Sequence, residues 1–388
     1  MTQQVNCNEL HPTVEALLKN GFDGMADCMR IALNEAMKFE RGEALKAGPY
    51  QRSEDRTGYA NGFKNKTVQT RAGAIDLDVP QVRGDLSFYP SAIERGLRSE
   101  RAINLAICQM YIQGVSTRKV DPIMKMLCGI EVSREKVSKV AQEMDDELEK
   151  WRQRHLGWVK YLIVDARYEK VRVDGIVRDC AVLVAHGVMA KDGKRSVLGV
   201  SVSLGEAECH WRDFFRSLKE RGLHGVEMIT SDAHAGLKAA LKTEFSGIPW
   251  QRCQFHLQQN AQAYISKVEL RKVVAEDIRN IFNTPDLESA ERLLKTTIEK
   301  YRKSAERLAD WMQDNIAESF TCFSMPVAHQ KRIRTSNMAE VINRELKRRT
   351  RVIGIFPNEK SLLRISSALL KEVDERWIEG RSYLTMEV

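Results

Sequence analysis

The chain lacks any apolar run of the roughly 20 residues that a bilayer-spanning helix needs. Its longest candidate, Cys180 to Ala190, is interrupted by His186 and Gly187 and reads as a strand, so no membrane partner is expected. The opening residues MTQQVNCNEL carry neither a basic n-region nor an apolar h-region, and so predict no secretory signal. The eight cysteines are scattered singly, which excludes a disulfide framework and suits free thiols in a reducing cytosol. There is no G-x-x-x-x-G-K-[ST] and no G-x-S-x-G, so nucleoside triphosphate hydrolysis and serine hydrolysis lack their signatures. Internal repeats and low-complexity segments are absent as well. What is left is a globular chain of 388 residues, 43% hydrophobic, long enough for two to three domains with real cores.

Charge is the first positive signal. There are 61 basic and 53 acidic residues, for a net charge of +8. Much of that excess lies between Lys331 and Arg351, where eight Lys or Arg meet two Glu. Positive charge concentrated in this way points to a polyanionic partner. Within this stretch, roughly Asn337 to Arg349 has helical periodicity. Met338, Val341, Ile342 and Leu346 share one face, and Glu340, Arg344, Lys347, Arg348 and Arg351 lie on or near the other. Two readings of Glu340 stand side by side. It holds a metal while the neighbouring cations hold phosphates, or it closes a capping box with Asn337 at the helix start.

Residues 1–50 read as helical. Lys66 to Thr70 and Ala74 to Val79 read as a β-hairpin around Arg71-Ala72-Gly73. From Ser99 to about Arg154 three short helices follow, the later two opening at Ser116-Thr117 and at Ser133. Their basic first turns, with Arg118, Lys119, Arg134 and Lys136, suit a helix-turn-helix module, although a plain helical connector has the same pattern. From Trp158 the order changes to three strands, a helix, a strand, a helix and a strand. That is the order of an α/β, ribonuclease H-like domain. Cys253 to about Val327 is nearly all helical and reads as an insertion. The expected division is therefore 1–98, an N-terminal helical and hairpin region for DNA binding or assembly; 99–154, a DNA-binding region; 155–252 with 328–360, the catalytic domain; 253–327, the insertion; and 361–388, a C-terminal helix and tail.

Asp165 and Asp232 each follow an apolar strand segment, and Glu340 opens a helix. Two strand-end aspartates at one sheet edge, closed by a helical Glu, form a hard-oxygen set that suits Mg²⁺ or Mn²⁺. Two such ions per site assist both the attacking and the leaving oxygen in phosphoryl transfer. Asp is also favoured at strand ends simply because it caps turns. Cys253 and His256 have the spacing of half a zinc site, but the candidates for the two further ligands, Cys322 and His329, are distant and irregularly spaced. Local packing and hydrogen bonding are the expected roles of Cys253 and His256.

Four segments together resemble the bacterial Mutator-type insertion-sequence transposase family: YLIVDARYEKVR, VEMITSDAHAGLKAAL, WQRCQFHLQQN and IRTSNMAEVINRELKRRTRVIGIFPNEKSLLRI. The last is the most specific. The family often has RTTN where this chain has Arg334-Thr335-Ser336-Asn337, a conservative change. The resemblance implies a DDE triad of Asp165, Asp232 and Glu340, with Mg²⁺-dependent cleavage and joining of double-stranded DNA at terminal inverted repeats. It also implies a bacterial, cytoplasmic and nucleoid-associated protein that works as a dimer or larger assembly on paired ends and target DNA. Arg334, Asn337, Arg344, Lys347, Arg348 and Arg351 would then contact DNA beside the triad. Two other readings remain: a regulator that kept the fold and lost catalysis, and a ribonuclease H-like nuclease acting on RNA hybrids or junctions.

Overall fold

The structure, a computed structural model, describes residues 11–48, 51, 55–84, 86–93, 99, 101–265 and 268–386; at Asn337 and Met338 it describes the backbone alone. The chain forms two compact units, Met1–Glu143 and Met144–Val388.

In the first unit, helices α1 (Pro12–Asn20) and α2 (Met25–Leu45) precede a hairpin of β1 (Tyr59–Thr70) and β2 (Gly73–Arg83). The hairpin is longer than the hydrophobic pattern predicts, and it turns through Arg71-Ala72 into Gly73 at φ +116°. Strand β2 alternates from Ala74 to Val79: Ile75, Leu77 and Val79 are buried, and Ala74, Asp76 and Asp78 are exposed. That period of two lays one face on Met37 of α2. Helices α3 (Arg101–Ile112), α4 (Thr117–Cys128) and α5 (Arg134–Gln142) follow, as the capping signals predict. Ser133 caps α5 by accepting from the Lys136 N–H at 3.1 Å, and Gly129 ends α4 in the left-handed region.

The second unit starts at α6 (Asp145–Arg152), which the sequence pattern alone groups with the preceding helices. Three antiparallel strands follow: β3 (Val159–Val173), β4 (Ile176–Met189) and β5 (Arg195–Ser203). Helix α7 (Glu208–Glu220), strand β6 (Met228–Ser231), helix α8 (Ala235–Glu244) and strand β7 (Trp250–Arg252) complete the expected order. Strand β6 pairs parallel to β3, and β7 parallel to β6, giving the sheet order β5-β4-β3-β6-β7.

Neighbouring residues of β3 face opposite layers. Leu162 and Val164 join Trp211, Phe215 and Leu237 beneath α7 and α8, whereas Tyr161 and Ile163 pack with Ile333 and Leu384 on the other side. Helices α9 (Gln254–Ala261), α10 (Val268–Phe282), α11 (Leu287–Arg302) and α12 (Glu306–Asn315) form the insertion. It has a core of its own, including Leu257, Ile278, Leu294, Leu308 and Trp311. Then come α13 (Val327–Ile333), α14 (Asn337–Ile353), the short β8 (Ile355–Phe356), which pairs with β3, and α15 (Glu359–Glu379). Helix α15 packs against the sheet rather than forming a separate tail. Its buried Asp374 accepts from Trp151 Nε1 at 3.0 Å, and from Arg154, Ser196 Oγ and the Val197 N–H, each at 2.8 Å. Among the described residues no helix is long and apolar enough to cross a membrane.

Candidate active site

Asp165 does not end its strand. Strand β3 continues eight residues beyond it, to Val173, because the β3–β4 ladder persists to the hairpin turn. The strand-end reading holds for Asp232, which directly follows β6. The parallel register explains how the two meet. Tyr161 pairs with Met228 and Ile163 with Thr230, an offset of 67 residues, and the same offset separates Asp165 from Asp232. Alternation along β3 puts Asp165 on the face of Tyr161 and Ile163, the side that α14 covers. There Asn343 Nδ2 donates to Asp165 Oδ2 at 2.7 Å.

Helix α14 buries Ala339, Ile342, Leu346, Arg349 and Thr350. Val341, expected in the apolar stripe, is 53% exposed, so the buried face is rotated from the one predicted. The capping-box reading of Glu340 fails on geometry. Ser336 is the N-cap, which moves Glu340 past the capping-box position, and Glu340 Oε1 is buried without a hydrogen-bond partner among the described residues.

His256 lies within electrostatic reach of all three acids. Its hydrogen bond with Cys253, then the charges of Cys253, Asp165 and Asp232, raise its pKa to about 9. Burial pushes the Asp165 carboxyl up to about 6, His256 pulls it back, and Asp232 adds to the rise. Burial also raises Glu340, against the pull of His256 and Arg344. The Cys253 thiol is pushed up by burial, but His256 and Ser336 outweigh this and leave it below its ordinary value. Among the described residues, no three His, Cys, Asp or Glu side chains already stand as a metal-holding cluster. Cys322 and His329 are engaged elsewhere: Gln254 reaches Cys322 Sγ, and His329 bonds Tyr161 OH and Thr385 O.

Sequence reasoning missed two residues. Asn343 sits three residues after Glu340, a spacing that keeps it on the same helix face and was readable from periodicity. Glu206 has a carboxyl raised by burial and by Asp232, and it stands 3.8 Å from His234. Nothing in its local sequence marks it.

The cations divide into groups. Arg344, Lys347, Arg348 and Arg351 are exposed along α14, with Arg348 paired to Glu345 at 3.0 Å. Arg334 is turned to the insertion, donating to Phe282 O at 2.6 Å and Asn283 Oδ1 at 2.9 Å. The Asn337 side chain lies outside the described residues. In the first unit Arg118, Lys119 and Arg134 are exposed, while Lys136 is tethered to Ser99 Oγ at 2.6 Å. Arg118, Arg134 and Lys136 line a groove of about 1030 Å³, together with Asp121 and Glu131.

The chain is 52% identical over 386 residues to the transposase of insertion sequence element IS406 from Burkholderia multivorans, covering 99% of each. It is 38% identical to that of ISRM5 from Rhizobium meliloti, over 96% of this chain and 94% of the relative. The transposase of IS256 in transposon Tn4001 from Staphylococcus aureus is 34% identical, over 98% and 97%. A solved Drosophila P element transposase strand transfer complex aligns with a TM-score of 0.41 at 12% identity, over 71% of this chain and 92% of that one. The model of the family "Transposase, Mutator family" matches residues 1–380, and the chain belongs to that family.

Proposed function

We propose that this transposase cleaves double-stranded DNA at the terminal inverted repeats of its own element and joins the freed ends to target DNA, with Asp165, Asp232 and Glu340 as its catalytic acids. The observation that carries this reading is the parallel β3–β6 register, whose offset of 67 residues from Tyr161–Met228 to Ile163–Thr230 equals the separation of Asp165 and Asp232 and so supports a common site for the two acids. The strand order supports a ribonuclease H-like domain around these acids.

The donor set suits Mg²⁺ or Mn²⁺: three carboxylates supply hard oxygens, and Glu340 Oε1 is buried with no donor among the described residues. Asp165, Asp232 and Glu340 would hold the ions. When bound, the ions would assist the attacking oxygen and stabilise the leaving one. The chain's own side chains do the rest. Asn343 fixes the Asp165 carboxylate, His256 offsets the clustered negative charge, and Arg344, Lys347, Arg348 and Arg351 hold phosphates next to the reacting one. In the first step water oxygen bonds to the scissile phosphorus and the bond to the 3′ oxygen breaks, leaving a 3′-hydroxyl and a 5′-phosphate. In the second, that hydroxyl attacks a target phosphodiester and displaces its 3′ oxygen. No bond to the protein forms. Acting on two ends at once requires two such sites, hence at least a dimer on DNA. The groove beside Arg118 and Arg134 is the proposed contact for the repeat.

The test is cleavage of end DNA in Mg²⁺ by Glu340→Gln, Asp165→Asn and Asp232→Asn. Each should lose activity by orders of magnitude, without additivity, while repeat binding persists. Near wild-type cleavage by Glu340→Gln would return that residue to a structural role. Full cleavage of RNA hybrids with none of end DNA would instead favour a ribonuclease H-like nuclease.

A further inference from the structure

Glu340 and Asp232 are 108 residues apart, and the whole helical insertion lies between them. Covalent connection therefore does little to fix one against the other. A short relay of hydrogen bonds does. The Cys253 N–H donates to Ser231 O at 2.7 Å, at the residue before Asp232. Cys253 Sγ accepts from the Ser336 N–H at 3.2 Å and from Ser336 Oγ at 3.1 Å. The Glu340 N–H donates to Ser336 O at 3.0 Å. Cys253 is 0% exposed and Ser336 is 1% exposed.

Ser336 departs from ordinary N-cap behaviour in a telling way. A serine there normally accepts from an N–H of its own helix, an interaction worth about 1 kcal/mol. Here it makes no such cap, and its hydroxyl is directed out to the sulfur. Two further bonds hold the chain just before it: Thr230 Oγ1 to Ile333 O at 2.7 Å, and the Gln254 N–H to Arg334 O at 3.1 Å. Together these contacts link the ends of β6 and β7 to the segment that runs from the end of α13 into α14.

We infer that Cys253 and Ser336 form the joint that sets Glu340 against Asp232, with Cys253 a positioning residue rather than a catalytic one or a zinc ligand. The inference rests on the reading of Asp232 and Glu340 as partners in one site. A joint that governs where Glu340 stands governs how well the acids share a cation, so its loss should show first in the metal requirement.

The experiment uses the full chain and measures end-DNA cleavage over a Mg²⁺ titration, with melting and repeat binding alongside. Cys253→Ala should cleave at least tenfold more slowly and need several-fold more Mg²⁺ for half-maximal rate, with repeat binding unchanged. Cys253→Ser, which restores an acceptor, should recover most of both. Ser336→Ala keeps its N–H and should fall between them, and the double alanine variant should be no worse than Cys253→Ala, which already removes both bonds between the two residues. Should Cys253→Ala fail to fold, the Ser336→Ala and Cys253→Ser titrations decide in the same terms. A wild-type Mg²⁺ requirement in Cys253→Ala, or in Ser336→Ala where the former does not fold, overturns the joint. Glu340→Gln run in parallel separates the two ideas: if it is inactive while the joint variants titrate normally, the acid assignment stands and the joint is wrong. If Glu340→Gln is active, the acid assignment itself fails.

Discussion

Asn343 Nδ2 lies 2.7 Å from Asp165 Oδ2, and this hydrogen bond ties the helix that carries Glu340 to the strand that carries Asp165. Asp165 is only 6% exposed and its carboxyl is raised from 3.8 to about 6, mainly by burial. A raised folded pKa on an acid means that ionising it costs stability: the cost is absent below about pH 4, where both folded and unfolded forms are protonated, and is fully present once the pH has risen through about 6. Asp165→Asn removes that cost and keeps an oxygen to accept from Asn343. In chelator-treated protein the variant should therefore be more stable than the wild type at pH 7.5, by roughly 1–3 kcal/mol. That is a melting shift of several degrees, shrinking to nothing near pH 4. A variant less stable than the wild type at pH 7.5 would show that the carboxylate is not under strain.

The same acids make a second prediction through ligand linkage. A cation bound by the folded form alone raises stability by RT ln(1 + [L]/Kd). Added Mg²⁺ should raise the melting temperature of the wild type, but leave Asp165→Asn, Asp232→Asn and Glu340→Gln where they are. Equal rises in all four proteins would mean that the ions bind elsewhere.

Much of the fold was legible because it follows from local rules. Two β-rich segments around a turn located β1 and β2, Ser and Gly punctuation located α4 and α5, and apolar segments located β3 and β6. What the sequence could not show was pairing. Asp165 looked like a strand end because the apolar run Tyr161 to Val164 stops at it, yet β4 continues the ladder past it. Val341 looked buried because valine is apolar, yet Arg349 and Thr350 occupy the covered face instead, Thr350 bonding Glu169 at 2.8 Å and Arg349 standing 3.7 Å from Glu372. Within the proposed site, the three acids were candidates from their residue types and segments. The contact between Cys253 and Ser336 was not legible, since a hydrogen bond across 83 residues leaves no local pattern.

Helix α15 is tested through Asp374. This 2% exposed carboxylate accepts from Trp151, Arg154, Ser196 and the Val197 N–H. Asp374→Ala would strand four donors, one of them a guanidinium, in the interior. Breaking a buried pair in this way costs about 3–5 kcal/mol. The variant should unfold at clearly lower denaturant or temperature. Wild-type stability would mean that α15 is dispensable to the second unit.

The basic groove of the first unit gives the last prediction. Arg118 and Arg134 line it and are exposed, and the structure shows no carboxylate paired with either among the described residues. Lys136 lines it too, but is tethered to Ser99 and lowered from its ordinary pKa by burial, so it is less able to reach a phosphate. Each phosphate contact releases a condensed counterion and adds close to one to the slope of log binding against log salt. Arg118→Gln and Arg134→Gln should therefore each weaken binding of the terminal repeat and flatten its salt dependence by about 1, the double variant by about 2. Lys136→Gln should change the slope less. The measurement is a fluorescence titration of repeat and random duplex with the full chain at several salt concentrations. If the two arginine variants keep the wild-type slope on both duplexes, the groove does not hold phosphates, and the basic face of α14 becomes the principal contact with DNA.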